Sequence, residues 1–231
     1  MLDRTTQLTN LNPDILDFQN QLRTQYDIEN QTVKSGQIDF IGSSLMEIFP
    51  IKKMQLEGNL NLDKIIYNRG VRATTTADLL AHMNTLIFDL NPSKIFMNIG
   101  SNDVGFGVSE EEMVANYDNI CQQIATRLPN CKVYVMAYYP VNTKAQFGNS
   151  DNEHTSLFHV RTNASLQAAS NLVAKIAKKY GFMPINVNQG LTDMQGNLKP
   201  KLTFDGAHLL PEGYQIVLNN LMPYLKTTRL N

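Results

Sequence analysis

Short apolar runs alternate along this chain with longer segments whose apolar positions recur every three or four residues. The runs predict five strands, at 37–41, 64–67, 94–99, 132–138 and 183–187. Between and around them the wider spacing predicts helices. One covers 12–29, with Asn12 as N-cap and Pro13 at the first helical position, and carries a broken stripe of Ile15, Leu16, Leu22, Tyr26 and Ile28. A second spans 75–90 from a Thr75 cap, and Pro92 stops it. Ser109 with Glu112 forms a capping box for a third, running to Leu128. A fourth covers 157–180 and closes at Gly181, and the last opens at Pro211. Strands alternating with helices of this length imply an α/β fold. The expected architecture is a three-layer α/β/α arrangement with a five-stranded parallel, flavodoxin-like sheet and right-handed crossovers.

A length of 231 residues suits a single domain over 1–231, with an N-terminal helical arm at about 1–30. That arm either packs on its own domain or serves a second subunit, which would make a homo-oligomer. No repeat, low-complexity stretch or long linker divides the chain. Hydrophobic residues make up 42%, enough for a full core at this size. The net charge of -1 provides no basic excess for nucleic acid, and Lys178-Lys179 reads as a solvated helix end. The first residues lack a signal-peptide apolar core, and no run approaches the ~20 apolar residues of a membrane span, so the expectation is a soluble, cytoplasmic protein. Cys121 and Cys131 are the sole cysteines and read as buried thiols, neither a disulfide framework nor a thiolate metal site.

Chemistry enters where the strands end. Gly42-Ser43-Ser44-Leu45, Asn68-Arg69-Gly70, Gly100-Ser101-Asn102-Asp103 and Asp205-Gly206-Ala207-His208 are polar clusters that follow apolar runs. In an open parallel sheet such positions gather at one edge, where ligands bind. Ser44 stands at a sharp turn into a helix N-terminus, whose free N–H groups can hold an oxyanion, although a helix-capping serine would look the same. The Gly-x-Ser-x-Gly elbow is not satisfied. Gly206 allows a tight turn that brings the Asp205 carboxylate to one nitrogen of His208 and leaves the other for a serine. Asn102 offers uncharged donors, and Gly70 permits close approach to a backbone N–H. Of the other histidines, His82 lies inside a helical pattern and reads as structural, while His154 and His159 flank a loop–helix junction and are candidates to line a pocket. No cluster completes a metal shell.

These four clusters, in this order, resemble the blocks of the SGNH hydrolases, also called the GDSL esterase/lipase family. The resemblance implies Ser44 as nucleophile, His208 as base with Asp205 as its partner, and an oxyanion hole of Ser44, Gly70 and Asn102. It implies ester hydrolysis through an acyl-serine with no cofactor, acting on a small-molecule ester. Ser43 stands where the family's first block usually has aspartate, which leaves a less negative surrounding for Ser44. The polar segments 141–156 and 188–203 are expected to flank the site, and with few large apolar residues they favour short acyl groups on a sugar or small alcohol. Three rivals remain open. The Ser43 departure favours a non-catalytic carbohydrate- or protein-binding member of the fold. A thioesterase, lysophospholipase or peptidase would use the same triad. A nucleotide- or flavin-binding protein would be expected to carry Gly-x-Gly-x-x-Gly or a Walker loop, and neither is present.

Overall fold

The computed structural model describes residues 13–58, 60–147 and 158–226. Five parallel strands form one sheet: β1 Ile38–Gly42, β2 Ile66–Gly70, β3 Lys94–Asn98, β4 Lys132–Met136 and β5 Met183–Ile185. Their spatial order is β2-β1-β3-β4-β5, the doubly wound order expected from the strand–helix alternation. Alternate residues of each strand face opposite layers. Ile38, Phe40, Phe96, Tyr134 and Met136 face one layer, whereas Ile41, Ile95, Met97, Val133 and Val135 face the other. The register aligns Phe40 with Phe96 and Phe96 with Tyr134. Their rings run across three strands at centroid spacings of 4.9 and 4.8 Å. Such cross-strand aromatic pairs each add a few tenths to ~1 kcal/mol beyond simple burial, and they fix the register.

The helices, in chain order, are α1 Pro13–Asn30, α2 Ser44–Glu47, α3 Ile51–Glu57, α4 Thr76–Ala81, α5 Met83–Leu86, α6 Ser101–Gly105, α7 Glu110–Arg127, α8 Asn163–Lys179 and α9 Pro211–Lys226. Helices α7 and α8 cover one face through Tyr117, Ile120, Ile124, Val173 and Ala177. Helices α2, α3 and α9 cover the other through Met46, Ile51, Val217, Leu218 and Leu221.

Three expectations need correction. The span 75–90 is not one helix. It breaks at His82 into α4 and α5 and ends in a 3-10 turn at Phe88–Leu90. The fourth helix starts at Asn163, not 157, because Thr162 caps it by accepting the Ser165 N–H at 3.1 Å. Residues 148–157, with His154, lie outside the described residues, as does Asn12. Most consequential for the site, β2 runs to Gly70 and so contains Asn68, Arg69 and Gly70, which were expected to follow it.

Helix α1 packs on its own sheet edge. Its buried residues are Gln19, Arg23 and Tyr26, a polar i, i+4, i+7 face, while Ile28 of the expected apolar stripe is exposed. Tyr26 Oη donates to Gly70 O at 2.8 Å and Gln19 Nε2 to Arg72 O at 2.7 Å. The Arg69 guanidinium, fully buried, lies 4.5 Å from the Tyr26 ring centre and pairs with Glu29 at 3.0 Å. The arm therefore braces the segment that leaves β2 toward the site.

Candidate active site

The carboxyl ends of β1, β2 and β3 open onto a cleft of about 340 Å³. It is lined by Ser44, His208, Asn102 and Arg161 among polar groups, and by Ile48, Phe106 and Phe204 among apolar ones. A cavity of about 470 Å³ lies at the opposite strand ends against Lys64, Lys94 and Lys132. It is larger, but no histidine lines it.

Ser44 is the first residue of α2, so the helical ladder does not use its N–H. The tight passage from β1 requires Gly42, because a Cβ there would lie 2.1 Å from Asn98 O and 2.6 Å from the Met46 side chain. Ser44 Oγ is 2.9 Å from His208 Nε2. His208 Nδ1 is 2.5 Å from Asp205 Oδ2. Asp205 Oδ1 accepts the backbone N–H groups of Ala207 and His208 at 2.9 and 2.8 Å, closing the turn around Gly206. Gly206 has φ +90°, and a Cβ there would strike Asn142 O at 2.4 Å. The turn is also held by Asn142 N–H donating to Gly206 O at 2.7 Å.

Burial acts to raise the Asp205 pKa. The hydrogen bond from His208, the charge of its imidazolium form and the two backbone N–H groups outweigh it and hold the carboxyl below its ordinary value. An ionised carboxylate only accepts, so Nδ1 carries the imidazole proton and Nε2 presents its lone pair to the Ser44 hydroxyl.

The structure does not bring Gly70 into this cluster. As the last residue of β2 it pairs with Gly42, and its N–H donates to Asn68 Oδ1 at 2.9 Å. What its missing side chain admits is helix α2: a Cβ on Gly70 would lie 2.2 Å from Glu47 N. The cleft is reached two and three residues later, at Arg72 and Ala73. The intervening N–H groups are engaged, Val71 with Gly42 O at 2.9 Å and Arg72 with Glu47 Oε2 at 2.7 Å. Among the described residues no acceptor takes the Ala73 N–H, and Ala73 adopts φ +57°. A non-glycine residue in this left-handed region is uncommon and stores strain.

Asn102 lies in α6, one residue after Ser101, and is buried. Its Nδ2 donates to Thr74 O at 2.8 Å and its Oδ1 accepts from Arg161 Nη2 at 2.9 Å. One Nδ2 hydrogen is left over. The neighbouring Asp103 accepts from Thr76 N–H at 3.0 Å and from Thr76 Oγ1 at 2.5 Å, tying α6 to the start of α4. Ser43 is buried, and among the described residues its hydroxyl has no hydrogen-bond partner.

The chain thus gathers Ser44, Asn102 and the Asp205–His208 pair, from three separated segments, around one cleft. Ala73, Arg161, Phe106 and Phe204 were not legible as cleft residues. Only Phe204 carried a signal, its place beside Asp205, and its ring stacks on His208 at 5.6 Å. None of residues 188–203, expected as a flank, lines the cleft. Residues 148–156 of the other flank lie outside the described residues. His159 is exposed and is not among the cleft residues. Among the described residues no group of three or more His, Cys, Asp or Glu side chains could hold a metal ion, and no helix is long and apolar enough to cross a membrane.

Comparison with known proteins shows the family and the fold. The sequence profile of the GDSL-like Lipase/Acylhydrolase family matches residues 53–216, a span that holds Asn102, Asp205 and His208 and begins after Ser44. A solved structure from Streptococcus pneumonia, with the working description of a platelet activating factor, is 30% identical, with a TM-score of 0.79 over 91% of this chain and 94% of that one. A GDSL-like lipase from Bacteroides thetaiotaomicron superposes with a TM-score of 0.65 at 19% identity, covering 88% of this chain and 97% of that one. An acetylxylan esterase from Geobacillus stearothermophilus superposes at 0.61 and 16% identity, covering 84% and 96%. Among curated proteins, the N-acylneuraminate cytidylyltransferase of Escherichia coli O18:K1:H7 is 22% identical over 200 residues, which is 85% of this chain. The chain spans 42% of that relative's length.

Proposed function

Since the chain belongs to the GDSL-like lipase/acylhydrolase family, we propose that it is a serine esterase that hydrolyses carboxylic esters through an acyl-serine on Ser44. The observation that carries this reading is the continuous relay from Ser44 Oγ through His208 to Asp205, at 2.9 and 2.5 Å, opening onto a cleft. His208 Nε2 takes the hydroxyl proton as Oγ bonds to the ester carbonyl carbon. Asp205 holds the imidazole in the needed tautomer and stabilises the imidazolium. The carbonyl oxygen becomes an oxyanion, and the donors offered to it are the Ser44 N–H, the Ala73 N–H and the remaining Nδ2 hydrogen of Asn102. Ala73 thereby takes the role that the family resemblance assigned to Gly70. Imidazolium then protonates the leaving alcohol as the C–O bond breaks. Water, deprotonated by His208, attacks the acyl-serine and releases the acid.

Short acyl groups on a sugar or small alcohol fit best. The cleft is near the lower end of the ~300–1,000 Å³ range of ligand sites. Among the described residues its large apolar side chains are Ile48, Phe106 and Phe204. The test is fluorophosphonate labelling of the wild type and Ser44→Ala, read by peptide mass, followed by acetyl, butyryl and octanoyl esters and one acetyl thioester. Modification at Ser44, absent in the variant, and preference for the acetyl ester are expected. An unlabelled protein would point to a binding member of the fold. Labelling at Ser43 or Ser101 would move the nucleophile, preference for octanoyl would reverse the chain-length reading, and preference for the thioester would reassign the acyl carrier.

A further inference from the structure

Resting on that reading of the site, we propose that Arg161 is a positioning residue for the reaction. It fixes the Asn102 amide so that one Nδ2 hydrogen faces the developing oxyanion, and it polarises that donor. Arg161 lies in the segment before α8, and neither its residue type nor its place in the sequence marks it as part of the site. Its guanidinium is buried, with Nη2 donating to Asn102 Oδ1 at 2.9 Å. The slot that holds it is cut by a glycine: a Cβ on Gly105 would lie 2.0 Å from Nη2 and 2.5 Å from both Cζ and Nε. Asn102 and Gly105 are one turn apart on α6, so the same helix face presents the amide and the space for the arginine.

The hydrogen-bond pattern is selective. In the flipped amide, Oδ1 would meet the Thr74 carbonyl and Nδ2 would meet the guanidinium, donor against donor. Arg161 and Thr74 together enforce one orientation and leave one N–H unclaimed. The bond from a cation to Oδ1 withdraws electron density from Nδ2 and strengthens that N–H as a donor. Among the described residues Nε of Arg161 has no hydrogen-bond partner. A buried cation left partly unsatisfied opposes folding. Burial pushes the arginine pKa down to about 10, with Asp205 opposing, so the charge persists at neutral pH.

Because Arg161 acts through Asn102, its loss cannot exceed the ~10²–10³-fold fall in kcat typical of losing one oxyanion donor. The experiment is a double-mutant cycle on the full chain with Arg161→Met, Asn102→Ala and the double variant, each checked by thermal melting and by fluorophosphonate labelling. Arg161→Met is expected to lower kcat by about 10- to 100-fold with KM within about 2-fold, and to add nothing in the Asn102→Ala background. If Arg161→Met does not fold, Arg161→Lys carries the same cycle, with a smaller loss again confined to kcat and again absent without Asn102. Unchanged kcat, a loss confined to KM, or additive losses, with wild-type Ser44 still labelled, would overturn the role of Arg161 alone. Wild type that is not labelled at Ser44 would overturn the esterase reading and this inference with it.

Discussion

Gly70→Ala separates two explanations for a glycine at the end of β2. If Gly70 faced substrate, an added methyl would obstruct the cleft and leave the fold untouched. The structure places that methyl against backbone instead, 2.2 Å from Glu47 N and 2.7 Å from Glu47 Cα and Met46 C. No side-chain rotation relieves a clash with main chain. Restoring ordinary contact at about 3.4 Å needs a shift of 3.4 - 2.2, or about 1.2 Å, in α2. That helix is four residues long, begins with Ser44 and is clamped by Glu47 to Arg72, so the shift reaches the nucleophile. Overpacking of this kind costs about 1–3 kcal/mol. For a chain of this size, 2 kcal/mol lowers Tm by about 4–8 °C. Displacement of a reacting group by ~1 Å costs on the order of 10²-fold in turnover. Urea and thermal denaturation, with kcat and KM on an acetyl ester, make the measurement. Lost turnover with an unchanged denaturation midpoint would refute the reasoning, since it would require open space above Gly70 and a role at substrate.

Ala73→Gly is expected to stabilise the protein by about 0.5–1 kcal/mol, because φ +57° strains alanine and not glycine, partly offset by the freer unfolded chain; a fall in Tm would show that Ala73 is not strained. Ser43→Ala should leave kcat within about 2-fold and stability nearly unchanged, since the hydroxyl makes no hydrogen bond to lose; a large loss in either would give that hydroxyl a partner. Burial raises Asp103 to about 6 against the hydrogen bonds from Thr76, so its folded form holds the proton more tightly than the unfolded chain does. Its contribution to stability is then full below the ordinary carboxylate value of 3.8 and lost as pH rises toward 6. The stability of wild type relative to Asp103→Asn should fall from about pH 4 to 6 and level off above; a rise across that window would mean that the Thr76 hydrogen bonds outweigh burial.

The sequence by itself determined the strand–helix alternation, and with it a parallel sheet covered on both faces, because apolar periodicity is a local record of which face each residue buries. It also made Ser44, Asn102, Asp205 and His208 legible. The blocks of Ser44 and Asn102 follow the ends of β1 and β3, whereas the Asp205–His208 block follows a 3-10 turn and its contact is confined to one turn. Only the tertiary structure decided the rest. Where β2 ends is set by its pairing with β1, not by its own apolar residues, and a shift of three residues turned Gly70 from a donor into a spacer for α2. Ala73 reaches the cleft because the turn after β2 is pinned by Gln19, Glu47 and Asn102, side chains remote in sequence. Arg161 reaches Asn102 across 59 residues through a slot that exists only once α6 presents Gly105 to it. Contacts of that kind depend on how layers pack, and packing between distant segments leaves no periodic trace along the chain.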